Sequence, residues 1–327
     1  AGASNDNFRR VMGSTPQDGG YLLDGMDSTN WYQRFPNPAA LNLPFDAIQE
    51  VAVHSAGFEA EFGQATGAVV NVSTKSGGNE FHGAFDARYT GSSFETSGEH
   101  YDPNEQESED ARFSATLGGP ILKDRLWFFA SYGRKDRKTT PTGAPTTREL
   151  QTEIFFGKLT WLANSSWSVV GKYSYSPIVD NDANSSQFRA AEATNIWNDT
   201  PSITTLETMG VLSPSVLWGI KVNRRKWFES ILPADGDLAT IGHYNLDTGE
   251  SYGNYGSQFW GPMEEREAST DVSWFINGAG QHEIEITWLA PARDYLLHLV
   301  QVGSGGAMSE VASAALTTLP RATAGTT

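Results

Sequence analysis

Polar and apolar residues alternate with a period of two along much of this chain. Phe81, Gly83, Phe85, Ala87 and Tyr89 fall on one face of an extended segment, with His82, Asp86 and Arg88 on the other. Phe113, Ala115 and Leu117 alternate with Arg112, Ser114 and Thr116; Trp167, Val169, Gly171, Tyr173 and Tyr175 alternate with Ser168, Lys172 and Ser174; and Trp218, Ile220 and Val222 alternate with Lys221 and Asn223. Side chains on a strand point to opposite faces in turn, so each segment predicts a strand with one apolar, aromatic-ended face and one polar face. About nine such strands are counted beyond Glu80. The first 79 residues read differently. Tyr21-Leu22-Leu23 runs into the turn signal Asp24-Gly25, Ile48–Val53 and Gly67–Thr74 are β-branched and strand-like, and Gly57–Gly63 fits a helical turn or a loop. That stretch is expected to form a small mixed α/β unit.

The connections choose what the apolar face meets. Gly118–Arg125 and Asn164-Ser165 read as short turns, whereas Gly91–Asp110, Lys135–Glu149, Ile178–Pro201 and Ser230–Glu265 read as long polar loops. Short turns on one side and long loops on the other are the asymmetry of a membrane β-barrel, in which the apolar face meets lipid. A soluble sandwich rarely carries so many long connections. Hydrophobic residues make up 39% and aromatic residues 12%, a balance suited to half-apolar strands. No run of 18 apolar residues occurs, so no membrane-spanning helix is predicted. The net charge of −16 offers no basic stripe for phosphates, which argues against a nucleic-acid partner. With no cysteine, thiol catalysis and disulfide frameworks are excluded.

Four motifs in order resemble TonB-dependent outer-membrane receptors, most closely the Oar-like group. Tyr21–Asp27 (YLLDGMD) is similar to the "LDG" segment of the plug domain, and Pro44–Val53 (PFDAIQEVAV) to its P-x-x-x-I-x-E-V-x-V strand. Glu61–Gly78 (EFGQATGAVVNVSTKSGG) is similar to the plug ending, and Gly118–Phe129 (GGPILKDRLWFF) to a barrel turn of that group. The resemblance implies a mostly β fold: residues 1–79 as the C-terminal part of the plug, 80–289 as the first strands of an incomplete transmembrane β-barrel, and 290–327 as a tail with a weak fibronectin type III-like pattern. It implies Asp24, Gly25, Ile48, Glu50, Val51, Glu61, Gly63, Gly67, Asn71, Lys75 and Gly77 as plug-motif residues with structural roles. Glycines there permit backbone geometries that side chains would block, and Glu50 and Lys75 are expected to join plug to barrel wall. A plugged receptor barrel has about 22 strands, so the resemblance further implies a piece of a longer protein. The implied partners are outer-membrane lipid, an extracellular ligand that the sequence does not identify, and the TonB protein through a segment upstream. The implied location is the bacterial outer membrane, and the implied function is energised uptake of a ligand. A secreted β-rich adhesin or carbohydrate-binding protein is the alternative.

Chemistry-bearing motifs do not point to an enzyme. There is no nucleophile elbow, P-loop, dinucleotide fingerprint or zinc spacing, and no cofactor is expected. His54, His82, His100, His243, His282 and His298 are scattered singly. Asp180–Asn184 opens like a calcium loop, but Ser185 stands where the loop needs glycine and Ala191 where it needs glutamate. Trp197, Tyr244, Tyr252, Tyr255, Phe259 and Trp260 are loop aromatics suited either to stacking on a ligand or to loop packing.

Overall fold

The computed structural model describes residues 20–28, 43–54, 68–91, 106–237, 239–254, 258–276, 280–289, 294–302 and 308–317. Two main sheets form. The small one contains β1 (Gly20–Leu23), β2 (Met26–Asp27), β3 (Ile48–His54) and β4 (Val69–Thr74) in the order β2-β1-β4-β3. β1 runs parallel to β4, while β3 runs antiparallel to it. A 3-10 turn at Phe45–Ala47 leads into β3. Among the described residues the small unit is a β-sheet with one short turn; the candidate helical turn at 57–63 lies outside them.

Among the described residues the large sheet has 13 segments. These are β5 (His82–Gly91), β6 (Gln106–Leu122), β7 (Leu126–Pro141), β8 (Arg148–Asn164), β9 (Trp167–Tyr175), β10 (Ile178–Asn181), β11 (Asn195–Asp199), β12 (Ser202–Ser213) and β13 (Val216–Pro233). After a separate hairpin, β14 (His243–Tyr244) and β15 (Ser251–Tyr252), come β16 (Gln258–Ile276), β17 (Gly280–Leu289), β18 (Asp294–Val302) and β19 (Met308–Thr317). All pairings in this sheet are antiparallel, and β5 and β19 are its edges.

The strand count exceeds the sequence expectation for two reasons. β9 and β10 are one strand interrupted at Pro177, and β11 and β12 one interrupted at Pro201; proline has no N–H to give the ladder. Merging these broken strands still leaves eleven, because β18 and β19 continue the sheet where the fibronectin-like tail was expected. The strands also run well into the expected loops: β6 begins at Gln106, β7 reaches Pro141, and β10 and β11 lie within 178–199. Cross-strand ion pairs line these extensions, including Arg137–Asp110 at 2.9 Å and Lys138–Glu149 at 2.7 Å.

Directly opposed residues of an antiparallel pair share a face, so the register divides the large sheet's side chains. One face, here called outer, carries the row Gly83, Leu117, Ala130, Gly157, Tyr173, Thr204. Its large apolar side chains stay uncovered: Phe85 73%, Leu159 50%, Leu206 54% and Trp274 50% exposed. Trp161, Trp167, Trp218 and Trp274 lie near the short turns, with the Trp167 and Trp218 rings 5.9 Å apart. Higher up, Phe113, Tyr132, Phe155 and Tyr175 form a second row, each ring within 6.3 Å of the next. Two aromatic rows bounding an uncovered apolar band are the girdles of a lipid-facing barrel wall. Arg88, Arg112 and Lys172 lie on the opposite, inner face.

Candidate functional site: the junction between the two sheets

The small sheet lies against the inner face of the large one. Leu23, Leu43 and Ala47 from the small unit form one buried cluster with Phe129 of β7, Ile154 and Phe156 of β8, and Ile203 of β12; Ile48 and Val72 pack against it. Phe129, Ile154, Phe156 and Ile203 are the apolar inner-face residues that the small sheet covers.

Beside this cluster sits a buried ionic centre built on the turn after β1. Asp24 and Gly25 both have positive φ, 50° and 79°, as a tight turn between β1 and β2 requires. The Gly25 N–H donates to Asn71 Oδ1 at 3.0 Å. Asp24 Oδ1 accepts the backbone N–H of Thr74 and Oδ2 accepts the Thr74 hydroxyl, both at 2.7 Å. From the wall, Lys172 Nζ reaches Asp24 Oδ2 at 3.1 Å and Lys158 Nζ reaches it at 3.7 Å. Lys172 also pairs with Glu207 at 2.5 Å, and Lys158 donates to the Thr74 carbonyl at 3.2 Å.

The register explains why a carboxylate is needed there. Lys158 and Lys172 stand directly opposite each other on β8 and β9. Like charges facing across a ladder destabilise it, and both ammonium groups are nearly covered, at 10% and 5% exposure. Asp24 sits over the pair and answers both. Burial pushes the Asp24 carboxyl up, but Lys172, Lys158 and the two Thr74 hydrogen bonds outweigh it and hold the group below the ordinary aspartate value.

The chain leaving β4 is fixed to the wall as well. A Cβ placed on Gly77 would lie 2.2 Å from the carbonyl oxygen of Phe128, so the backbone passes against β7 too closely for any side chain. Asn79 Oδ1 accepts the Asp124 N–H at 2.9 Å and the Trp127 indole N–H at 2.7 Å, while its Nδ2 donates to Asp124 Oδ1 at 2.5 Å. Asp124 itself has φ 61° in the tight turn between β6 and β7. The Lys123–Phe129 motif thus contains the docking point for the segment that leads out of the small sheet.

Of the sequence candidates, Asp24, Gly25, Ile48, Asn71 and Gly77 converge on this junction. Glu61, Gly63 and Gly67 lie outside the described residues. Glu50 and Val51 are exposed, and the wall contact expected of Glu50 and Lys75 is made by Asp24 instead. The Lys75 backbone N–H donates to the Ala47 carbonyl at 2.9 Å, a bond within the small unit. Thr74, Asn79, Lys158 and Glu207 were not singled out from sequence, because their partnership depends on a register that spacing alone does not reveal.

The loop candidates resolve differently. Asp180 is fully buried and its carboxylate is gripped by the Arg148 guanidinium at 2.5 Å, so the calcium-like run spends its first ligand on an ion pair. Among the described residues no group of three metal-ligating side chains converges. Tyr244 and Tyr252 are exposed in the β14–β15 hairpin, where Tyr252 stacks on His243 at 5.1 Å. Trp197 is half-buried on β11. Tyr255 and the side chains of Phe259 and Trp260 lie outside the described residues.

Comparison with known proteins agrees with the fold. Residues 73–153 match the model of the outer membrane beta barrel domain family. Over 139 residues, 40% of this chain, the sequence is 41% identical to the TonB-dependent transporter Oar of Myxococcus xanthus, an alignment that covers 13% of that protein. The fold is similar to the outer membrane transporter YddB of Escherichia coli, with a TM-score of 0.65 and 15% identity over 94% of this chain and 46% of that one. It is also similar to the siderophore receptor PirA of Acinetobacter baumannii, with a TM-score of 0.55 and 18% identity over 89% of this chain and 52% of that one. The chain therefore spans about half the length of these solved relatives and a smaller part of the curated one. The resemblance to TonB-dependent outer-membrane receptors stands on both sequence and fold, and the location it gives is the bacterial outer membrane.

Proposed function

We propose that this chain, as a segment of a TonB-dependent outer-membrane receptor, supplies the C-terminal part of the plug and the barrel wall that holds it during energised uptake of an extracellular ligand. The observation that carries this reading is the Asp24 centre, a small sheet tied to the inner wall by a compact, nearly buried set of charges. In this reading the junction is a latch. Its ions are paired when the plug is seated, and they must be exposed to water or re-paired when the plug moves. Force from the TonB protein, applied upstream of β1, reaches the wall through β1 and the Asp24 turn, because β1 pairs directly with β4 and β4 leads to the Gly77 and Asn79 contacts. No catalytic step belongs to this function. A secreted adhesin would leave the outer rows of Phe85, Leu159, Leu206 and Trp274 facing water, which the exposed apolar band disfavours.

This chain contains no cysteine, so one introduced thiol, in a receptor whose remaining residues are also kept free of cysteine, gives a test that needs no identified ligand. A single Val72→Cys substitution reports on opening of the junction, because Val72 packs against the shared cluster. In cells bearing the receptor, a polar maleimide is expected to label it faster when TonB is present than when it is deleted, and a protonophore should remove the difference. Identical labelling rates in all three conditions would contradict the latch.

A further inference from the structure

The outer face above the apolar band carries two clusters of charge that differ in balance. On β7 and β8, Arg134 is held by Asp136 at 2.8 Å and Glu153 at 3.3 Å, and Lys138 by Glu149, so carboxylates at least match cations. On β13 and β16, three cations share one carboxylate. Glu264 accepts from Arg224 at 2.9 Å and from Arg266 at 2.6 Å, and Lys226 lies 3.9 Å away. Arg224 stands directly opposite Arg266, and Lys226 opposite Glu264, so the four form one compact square in the ladder. Arg266 is 74% exposed, Lys226 50% and Arg224 43%. This excess positive charge stands out in a chain whose net charge is −16.

Its height is fixed by the register. On the same face below Arg224 come Val222, Ile220 and Trp218, ending at the short turn before Val216. Arg224 and Lys226 lie about eight to ten residues above that turn. At a rise of roughly 3.3 Å per residue and a tilt near 40°, this is roughly 20–25 Å of height, about the thickness of the apolar band of an outer-membrane barrel. The square thus sits at the lipid headgroup level on the side away from the short turns, which is the outer leaflet.

We propose that Arg224, Lys226 and Arg266 form a binding site for a phosphate group of lipid A, the phosphorylated glycolipid of that leaflet. Glu264 draws the two guanidinium groups together against their mutual repulsion and leaves a surplus of positive charge for the phosphate. Arginine forks suit phosphate oxygens bidentately, and Lys226 adds a point charge at the rim. The proposal rests on the barrel's orientation in the membrane and not on any transported ligand.

The test is titration of the full chain in dodecyl maltoside micelles with diphosphoryl lipid A, its dephosphorylated counterpart, and phosphatidylglycerol, read by native mass spectrometry. Each cation removed should weaken diphosphoryl lipid A binding roughly fivefold. Lys226→Gln should show that loss singly, and Arg224→Gln with Arg266→Gln roughly 25-fold together, while Arg134→Gln in the balanced cluster should leave it unchanged. Lys226→Gln keeps both arginine–Glu264 pairs, so it reads the site even if the double variant folds poorly. Equal binding of the phosphorylated and dephosphorylated lipids, equal binding of phosphatidylglycerol, or an unchanged affinity in Lys226→Gln would overturn the proposal.

Discussion

Replacing Asp24 by Asn removes the charge that joins the small sheet to the wall while keeping the side chain's size. The two ammonium groups it served, Lys158 and Lys172, remain opposed across the β8–β9 ladder with Glu207 as the carboxylate still in reach of Lys172. All three side chains of the original triad are at most 10% exposed, so water replaces little of what is lost. Breaking a buried ion pair by removing one partner costs about 3–5 kcal/mol, chiefly because an uncompensated charge stays behind. The natural readout is hydrogen exchange of the β4 amides, Val69–Thr74, in a membrane-inserted sample. If the sheet opens as a local unit, that cost should speed exchange by roughly two to three and a half orders of magnitude. Adding Lys172→Met to Asp24→Asn should recover part of the loss, because it removes one of the stranded cations. Asp86→Asn breaks a pair with Arg88 whose side chains are 37% and 70% exposed, and it should change β4 exchange little. Unchanged β4 protection in Asp24→Asn, or an equal effect from Asp86→Asn, would refute the ionic latch.

The acid sensitivity of the same contact follows from linkage. The folded Asp24 carboxyl titrates below its unfolded value, so its contribution is complete at neutral pH and is lost as pH falls from the unfolded value of about 4 through the lowered one. Pepsin cleavage within Ile48–His54 should therefore accelerate steeply below about pH 4, and the Asp24→Asn variant should lose that component of the pH dependence. Val222→Arg places a charge on the lipid face near the middle of the band and should cost about 2–4 kcal/mol in bilayer folding titrations, whereas Lys221→Arg on the inner face should cost far less. Gly77→Ala forces a methyl group against the Phe128 carbonyl and should destabilise the junction by about 1–3 kcal/mol, seen as faster β4 exchange. Asn79→Ala strips the Asp124 and Trp127 contacts and should cost about 1 kcal/mol, read as lost protection at the Asp124 amide.

Much of this architecture was legible in the sequence because one face of each strand is paid for by lipid. Trp167–Tyr175 and Trp218–Val222 alternate cleanly, and the faces they predict are those the register produces. β12 was harder to read: its outer residues include Ser202, Thr204, Thr208 and Gly210, which carry no apolar signal. The upper halves of β6, β7 and β16 looked like loops for a related reason. Above the band both faces meet polar surroundings, so alternation vanishes although the ladder continues. Val169 lies only two residues beyond Trp167 at the turn, nearer the lower girdle, whereas Val222 lies six residues above the turn at Val216, near the middle of the band. The junction was legible on one side only. The Asp24-Gly25 turn is a strong local signal, but Lys158 and Lys172 are fourteen residues apart in sequence and become a pair only through the β8–β9 register.

The most direct measurement is a cysteine scan of β8 from Phe155 to Leu162 in lipid vesicles, with an environment-sensitive fluorophore at each position and a lipid-soluble nitroxide as quencher. The chain has no native cysteine to interfere. Probes at 155, 157, 159 and 161 should be quenched, and those at 156, 158 and 160 protected beneath the small sheet or in the aqueous interior. Quenching that fails to alternate, or that falls on 156, 158 and 160, would contradict a wall with lipid on one face and the Asp24 junction on the other.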